Sequence, residues 1–227
     1  MKTKLKLIFL GVLLSCYGFS QSGQSIWTEL EFSKKVVKNL KIEFNPELRL
    51  LDGFKMDSYI IEGGLSYKVK KYLTLASYYR YENAWDYKKK TGEYKGQLAS
   101  NRLAFDAKSG FDINRLGFQF RIRYTQGLNT TSDESEFRYR TKIDYDIKGS
   151  KFVPFASVEL FHDNSITAEE RSLISGSFKS INKLRYTGGL SYGINKNNDV
   201  TLFYRIQDNR VKDETTNIIG IGYSLDF

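Results

Sequence analysis

Apolar residues recur at every second position through most of this chain, and that period marks strands with one greasy and one polar face. The cleanest case is 40–50, where Leu40, Ile42, Phe44, Pro46, Leu48 and Leu50 oppose Lys41, Glu43, Asn45, Glu47 and Arg49. The same rule sets Leu116, Phe118, Phe120, Ile122 and Tyr124 against Arg115, Gln119, Arg121 and Arg123. It also sets Phe137, Tyr139, Ile143 and Tyr145 against Arg138, Arg140, Lys142 and Asp144. Leu184, Tyr186 and Leu190 stand opposite Lys183 and Arg185, and Leu202 and Tyr204 opposite Thr201 and Arg205. Further strands are predicted at 26–33, 58–67, 72–81, 101–108, 152–161 and 217–227. Short turns fall at Asp52-Gly53, 68–71, 112–114, 148–151 and 195–199, and aperiodic polar loops at 82–99, 126–135 and 162–179.

The final stretch alternates Asn217, Ile219, Ile221, Tyr223, Leu225 and Phe227 with Ile218, Gly220, Gly222, Ser224 and Asp226. Its length is that of a tilted membrane-crossing strand, about 9 to 11 residues, rather than the mode of about 5 to 6 in soluble sheets. This ending resembles the last strand of bacterial outer-membrane barrels. The resemblance implies that Tyr223, Leu225 and Phe227 form a signal for the barrel-assembly machinery.

The amino terminus reads as a secretory signal peptide: Lys2, Lys4 and Lys6 lead into an apolar run from 7 to 14, and Gly18 and Ser20 are small. Cleavage is expected after Ser20, leaving a single domain at 21–227. Leu13-Leu14-Ser15-Cys16 also fits a lipoprotein box, which would make Cys16 a lipidated terminus. Loss of the three lysines lowers the formal charge from +9 to +6, and no cysteine remains for a disulfide. Basic residues are scattered singly through strands, so a nucleic-acid partner gains no support. No later segment holds eighteen consecutive apolar residues, whereas 16 Tyr and 16 Phe suit long strands.

A soluble sandwich would show the same periodicity, so other features have to decide. Strands are long, short and long connections alternate, and rings gather near expected strand ends: Tyr67 and Tyr72 at a short turn, Tyr78, Tyr79, Tyr81 and Trp85 before a long loop. These point to an all-β, antiparallel transmembrane barrel of 10 to 12 strands in the outer membrane, with lipid as its outer partner. Eleven candidate strands conflict with the even numbers of bacterial single-chain barrels. Either 26–33 lies in the lumen of a ten-stranded barrel or a loop hides a twelfth strand, and twelve is the expectation carried forward.

Trp27-Thr28-Glu29-Leu30, Glu47-Leu48-Arg49 and the terminal Tyr223-Ser224-Leu225-Asp226-Phe227 together resemble an uncharacterised family of small Gram-negative outer-membrane barrels. That resemblance implies location and fold but no catalytic residue.

In such a barrel the polar faces turn inward, giving a lumen charge network of Lys41, Glu43, Glu47, Arg49, Arg121, Arg123, Arg138, Arg140, Lys142, Asp144 and Arg185. Both signs are present, so pairing and a largely filled lumen are expected, with a structural or surface-interaction role. A narrow anion-tolerant pore is the alternative. Only His162, beside Asp163, offers a surface hydrolase, yet Ser157 lies at an odd offset and so on the opposite face. Asp133-Glu134, Glu169-Glu170 and Asp213-Glu214 lack the ligand spacing of a calcium loop. No cofactor or metal is expected, and the ligand of the long loops is not readable.

Overall fold

Eleven strands make up nearly all of the computed structural model, which describes residues 23–88, 92–128, 135–164 and 181–227. The expected leader at 1–20, with Cys16, lies outside the described residues. In chain order the strands are β1 (Gly23–Val37), β2 (Leu40–Leu51), β3 (Met56–Lys70), β4 (Leu73–Tyr87), β5 (Tyr94–Ile113) and β6 (Leu116–Gly127). There follow β7 (Ser135–Tyr145), β8 (Phe152–Asp163), β9 (Lys183–Gly193), β10 (Asn198–Asn209) and β11 (Glu214–Asp226). Each pairs antiparallel with its neighbours in sequence, and β1 closes the barrel against β11.

That closure corrects the expected twelve. The count is eleven, within the range of 10 to 12, and 26–33 is neither a luminal segment nor one of an even set. With an odd number, the first and last strands run the same way. They pair in parallel from Gly23↔Thr216 to Ser33↔Asp226, which leaves no sheet edge.

One rim of the barrel carries the connections 38–39, 71–72, 114–115, 146–151 and 194–197. Asn39 and Asn114 take left-handed φ values of 68° and 57° there, which suits two-residue hairpin turns. The opposite rim carries 52–55, 88–93, 128–134, 164–182 and 210–213. Parallel closure puts the start of β1 at this second rim and the end of β11 at the first.

The polar stretch expected as a loop at 82–99 is mostly strand instead: β4 runs to Tyr87 and β5 starts at Tyr94, with Trp85↔Gln97 and Asp86↔Gly96 in register. A hairpin that projects past an apolar belt has water on both faces, so its side chains need not alternate. The sequence pattern therefore vanishes while the hydrogen-bond ladder persists.

Both prolines sit where a ladder bond is dispensable. Pro46 pairs with Ile61 of β3, while the β1/β2 register skips the residues between Glu29↔Glu47 and Phe32↔Phe44. Pro154 pairs with Leu190 of β9, one residue past the last β7/β8 partner at Asp144↔Phe155.

The outer face is apolar. Ile42, Leu65, Leu75, Ile122, Val158, Leu202 and Ile219 all stand exposed there, the last two at 60%. Rings gather towards both ends of this face. Tyr59 packs on Tyr81 and Trp85, and Tyr124 on Phe137, near the long-connection rim. Phe32 packs with Phe44 and Tyr223, Phe111 with Phe118, and Phe152 with Tyr192, near the short-turn rim. Tyr78 departs from the expected ring cluster: alternation in β4 turns it inward, and it is buried.

Candidate functional site

Strand alternation sends the polar faces to the concave side, where strands that share no ladder can touch. Arg123 of β6 reaches across β5 and β4 to Glu62 of β3, with Nη1 2.9 Å and Nη2 3.1 Å from its two carboxylate oxygens. Its Nε donates to Asp106 at 2.6 Å. All three residues are buried, at 3–5% exposure. Beside them Arg80 lies 3.6 Å from Glu62. The Tyr78 hydroxyl donates to Glu43 at 2.6 Å and accepts from Lys108 at 2.6 Å, while its ring sits under Arg123. A bidentate guanidinium flanked by two carboxylates is strongly held, because each charge meets an opposite charge where water is scarce.

A second group centres on Glu159 of β8, which accepts from Arg121 at 2.5 Å and Arg185 at 3.1 Å. Arg185 also donates to Gln207 at 2.6 Å. The ring of Phe161, fully buried, is covered by Arg138, Arg185 and Lys183 at 4.7–5.0 Å. Arg138 in turn pairs with Glu136.

The third group surrounds Trp27, whose indole faces Arg49 at 4.0 Å, Arg205 at 5.0 Å and Arg185 at 5.3 Å. Cations favour the negative face of an indole, and here it gathers arginines from β2, β9 and β10. Arg49 pairs with Glu47 at 2.6 Å and Arg205 with Glu29 at 2.8 Å. Phe203 and Ile218 pack against Trp27. Gly220 makes this possible, since a Cβ there would lie 2.0 Å from the Phe203 ring. At the short-turn rim Lys41 and Ser33 both donate to Asp226, at 2.7 and 2.8 Å, tying β2 and β1 to β11.

Of the eleven lumen residues singled out from the sequence, eight enter these ion pairs. Asp144 is engaged by a neutral partner, accepting from Gln119 at 3.1 Å. Arg140 and Lys142 stand apart, with no carboxylate within 4.0 Å among the described residues. Both line a cavity of about 300 Å³ on the short-turn side of the charge clusters, together with Glu31, Asp199 and Phe155.

Sequence reasoning missed Trp27, Glu29, Glu62, Arg80, Asp106 and Glu159. For Glu62 a signal existed: extending the period of Ser58 and Ile60 places it on the inner face. The adjacent rings of Tyr78 and Tyr79 hid the face assignment of β4 in the same way.

His162 and Ser157 do not meet. Phe161 and Glu159 point inward with Ser157, so His162 falls on the outer face, in register with Phe137. Asp163 lies opposite Glu136, and its backbone N–H donates to Asn182 at 3.2 Å. The acidic pairs 133–134 and 169–170 lie outside the described residues. Asp213 is in the last rim connection and Glu214 begins β11. Among the described residues no three His, Cys, Asp or Glu side chains gather as a metal site. No helix there is long and apolar enough to cross a membrane, which says nothing about strands.

Tyr223 and Leu225 share the outer face of β11 with Ile219 and Ile221, and the exposed Phe227 donates its N–H to the Ser33 carbonyl at 2.8 Å. Residues 24–217 match the model of a family described as "Protein of unknown function (DUF2490)". No curated protein matches the chain.

Proposed function

The chain belongs to the DUF2490 family, whose description assigns no activity, and from that premise we propose an integral outer-membrane barrel whose lumen is closed by paired charges. Its wall and rims, rather than a conducting channel, then carry its role at the cell surface. One observation carries the reading: the usual arrangement of a soluble protein is inverted, with aliphatic side chains exposed around the outside and buried Arg, Glu and Asp within. A soluble barrel exposing Leu202, Ile219 and Leu65 in one continuous belt would aggregate, because so large an apolar patch has no aqueous partner. Lipid removes that penalty, and closure meets the demand that every backbone group in a bilayer be satisfied internally. The two ring clusters on the outer face match the amphipathic boundary on either side of a hydrocarbon core.

In this reading 1–20 is a secretory leader, the short-turn rim faces the periplasm, and Tyr223, Leu225 and Phe227 are offered to the assembly machinery. Fractionation of cells expressing the chain tests the location. The expected result is recovery in the outer-membrane fraction and faster migration on a detergent gel when unboiled. Recovery in the soluble periplasm, with no boiling-dependent shift, overturns the proposal.

A narrow anion-tolerant pore is favoured by a separate observation, the unpaired Arg140 and Lys142 beside the cavity. It requires a path past Arg123, Glu62 and Arg205, and the ion pairs these residues make favour the closed lumen.

A further inference from the structure

Two walls of the short-turn cavity carry charge of opposite sign that is not used in pairing. On β7, Arg140 and Lys142 reach no carboxylate within 4.0 Å among the described residues. Lys142 Nζ lies 4.5 Å over the Phe155 ring. The other wall holds Glu31 and Asp199, which likewise meet no cation at that distance among the described residues. Registers Glu31↔Ser224 and Asp199↔Ser224 set these two acids on either side of one serine, at one level of the wall. In the strand order β1 and β7 lie on opposite sides of the ring. Glu31 therefore faces Arg140 and Lys142 from across the ring, and Asp199 from three strands away, with no contact within 4.0 Å among the described residues, whereas deeper in the barrel equivalent residues close on each other at 2.5–3.1 Å.

We propose that this cavity binds a small soluble zwitterion with a cationic and an anionic end, such as a short peptide, held between Arg140 and Lys142 on one side and Glu31 and Asp199 on the other. The inference rests on the closed-lumen reading, because the paired charges beyond Arg205 form the floor that stops the solute. A simple anion satisfies one wall and leaves the acids opposite uncompensated, so it binds less well than a molecule that bridges both. The volume of about 300 Å³ suits a solute of dipeptide size. Access along the barrel axis, rather than through the lipid-facing wall, favours a free solute over a lipid headgroup of the same charge pattern.

Calorimetric titration of the detergent-purified barrel tests this, with alanyl-alanine as the probe and acetate, methylamine and glycerophosphoethanolamine as comparisons. The dipeptide is expected to bind at least about ten-fold more tightly than either singly charged compound, the scale of one lost charge-assisted hydrogen bond. Arg140→Gln and Glu31→Gln should each weaken it by a similar factor, while Lys95→Gln at the far rim leaves it unchanged. Asp199→Asn is the second acidic variant should Glu31→Gln fail to fold, as judged by the boiling-dependent gel shift. No dipeptide binding, or acetate binding as tightly, overturns the proposal. Tighter binding of glycerophosphoethanolamine overturns the soluble source. Planar-bilayer conductance is a separate readout: a wild-type channel would remove the closed lumen, whereas loss of binding alone leaves it standing.

Discussion

Arg123 is the residue on which most of the buried charge converges. Its guanidinium compensates Glu62 and Asp106 together. Among the described residues Arg123→Met removes the nearest cation from both buried carboxylates and leaves Glu62 only Arg80 at 3.6 Å and Asp106 only Lys108 at 3.9 Å, so a loss of about 3 kcal/mol, the lower end for breaking a buried pair, is expected. Lys95→Gln breaks an ion pair with Asp86 of similar appearance at 3.3 Å, but both partners are nearly half exposed, and the expected change is about 0–1 kcal/mol. Urea unfolding of the two variants in detergent checks the contrast; equal effects would remove the case that buried pairing holds the lumen closed. Gly64 is a second sensitive point. A Cβ there would lie 2.1 Å from the Ser77 carbonyl oxygen, which is ladder backbone and has little freedom to move. Gly64→Ala should therefore sharply reduce the folded, fast-migrating form on an unboiled gel, and a wild-type yield would show that β3 and β4 shift readily. The sequence put Arg123 on the inward polar face and led to the expectation that it pairs, but a glycine in a strand and an arginine on a polar face do not announce which partner stands across the lumen.

At the scale of the strand, legibility followed the solvent on each side. Where the outward face is apolar and the inward face polar, as in β2, β6 and β7, the period of two is clean and the faces could be assigned from residues alone. Towards the tip of the β4/β5 hairpin the alternation fades, so 82–99 reads as a loop although its ladder continues to Tyr87↔Tyr94. The same division of environments predicts how substitutions are tolerated. Leu202, 60% exposed on the outer face, should resist replacement: Leu202→Arg costs about 2–4 kcal/mol if it lies near mid-membrane and should lower the amount of inserted protein. Gln119→Arg enters the polar lumen beside Asp144, which it can pair with, and insertion should stay near wild type. Quantifying both variants in isolated membranes is the check, and the reverse order would mean that the two faces have been exchanged.

For the whole molecule, the feature that sequence could not supply was the closing pair. Nothing local to β1 records that its partner 193 positions away, as in Ser33 and Asp226, runs in the same direction. The even-number habit of bacterial barrels pointed to ten or twelve, and the eleventh strand satisfies closure by pairing in parallel instead. A topological consequence follows: β1 begins at the rim opposite the one where β11 ends. On the proposed orientation, with the short-turn rim towards the periplasm, Gln24 lies at the outer surface, so a cysteine introduced there should react with a membrane-impermeant maleimide on intact cells, whereas one at Lys196 in the opposite rim should not. Labelling of Lys196→Cys alone would invert the orientation.

Single-channel recording of the unmodified barrel in planar bilayers decides whether paired charges close the lumen. A lumen closed by paired charges gives no steady conductance from wild-type protein. A small conductance is expected once Arg121, Arg138 and Arg140 are replaced together by Ala, which frees Glu159 from Arg121 and Glu136 from Arg138 and clears their side chains from the axis. Stable, anion-selective channels from wild-type protein, lost rather than gained in the triple variant, would contradict that closure.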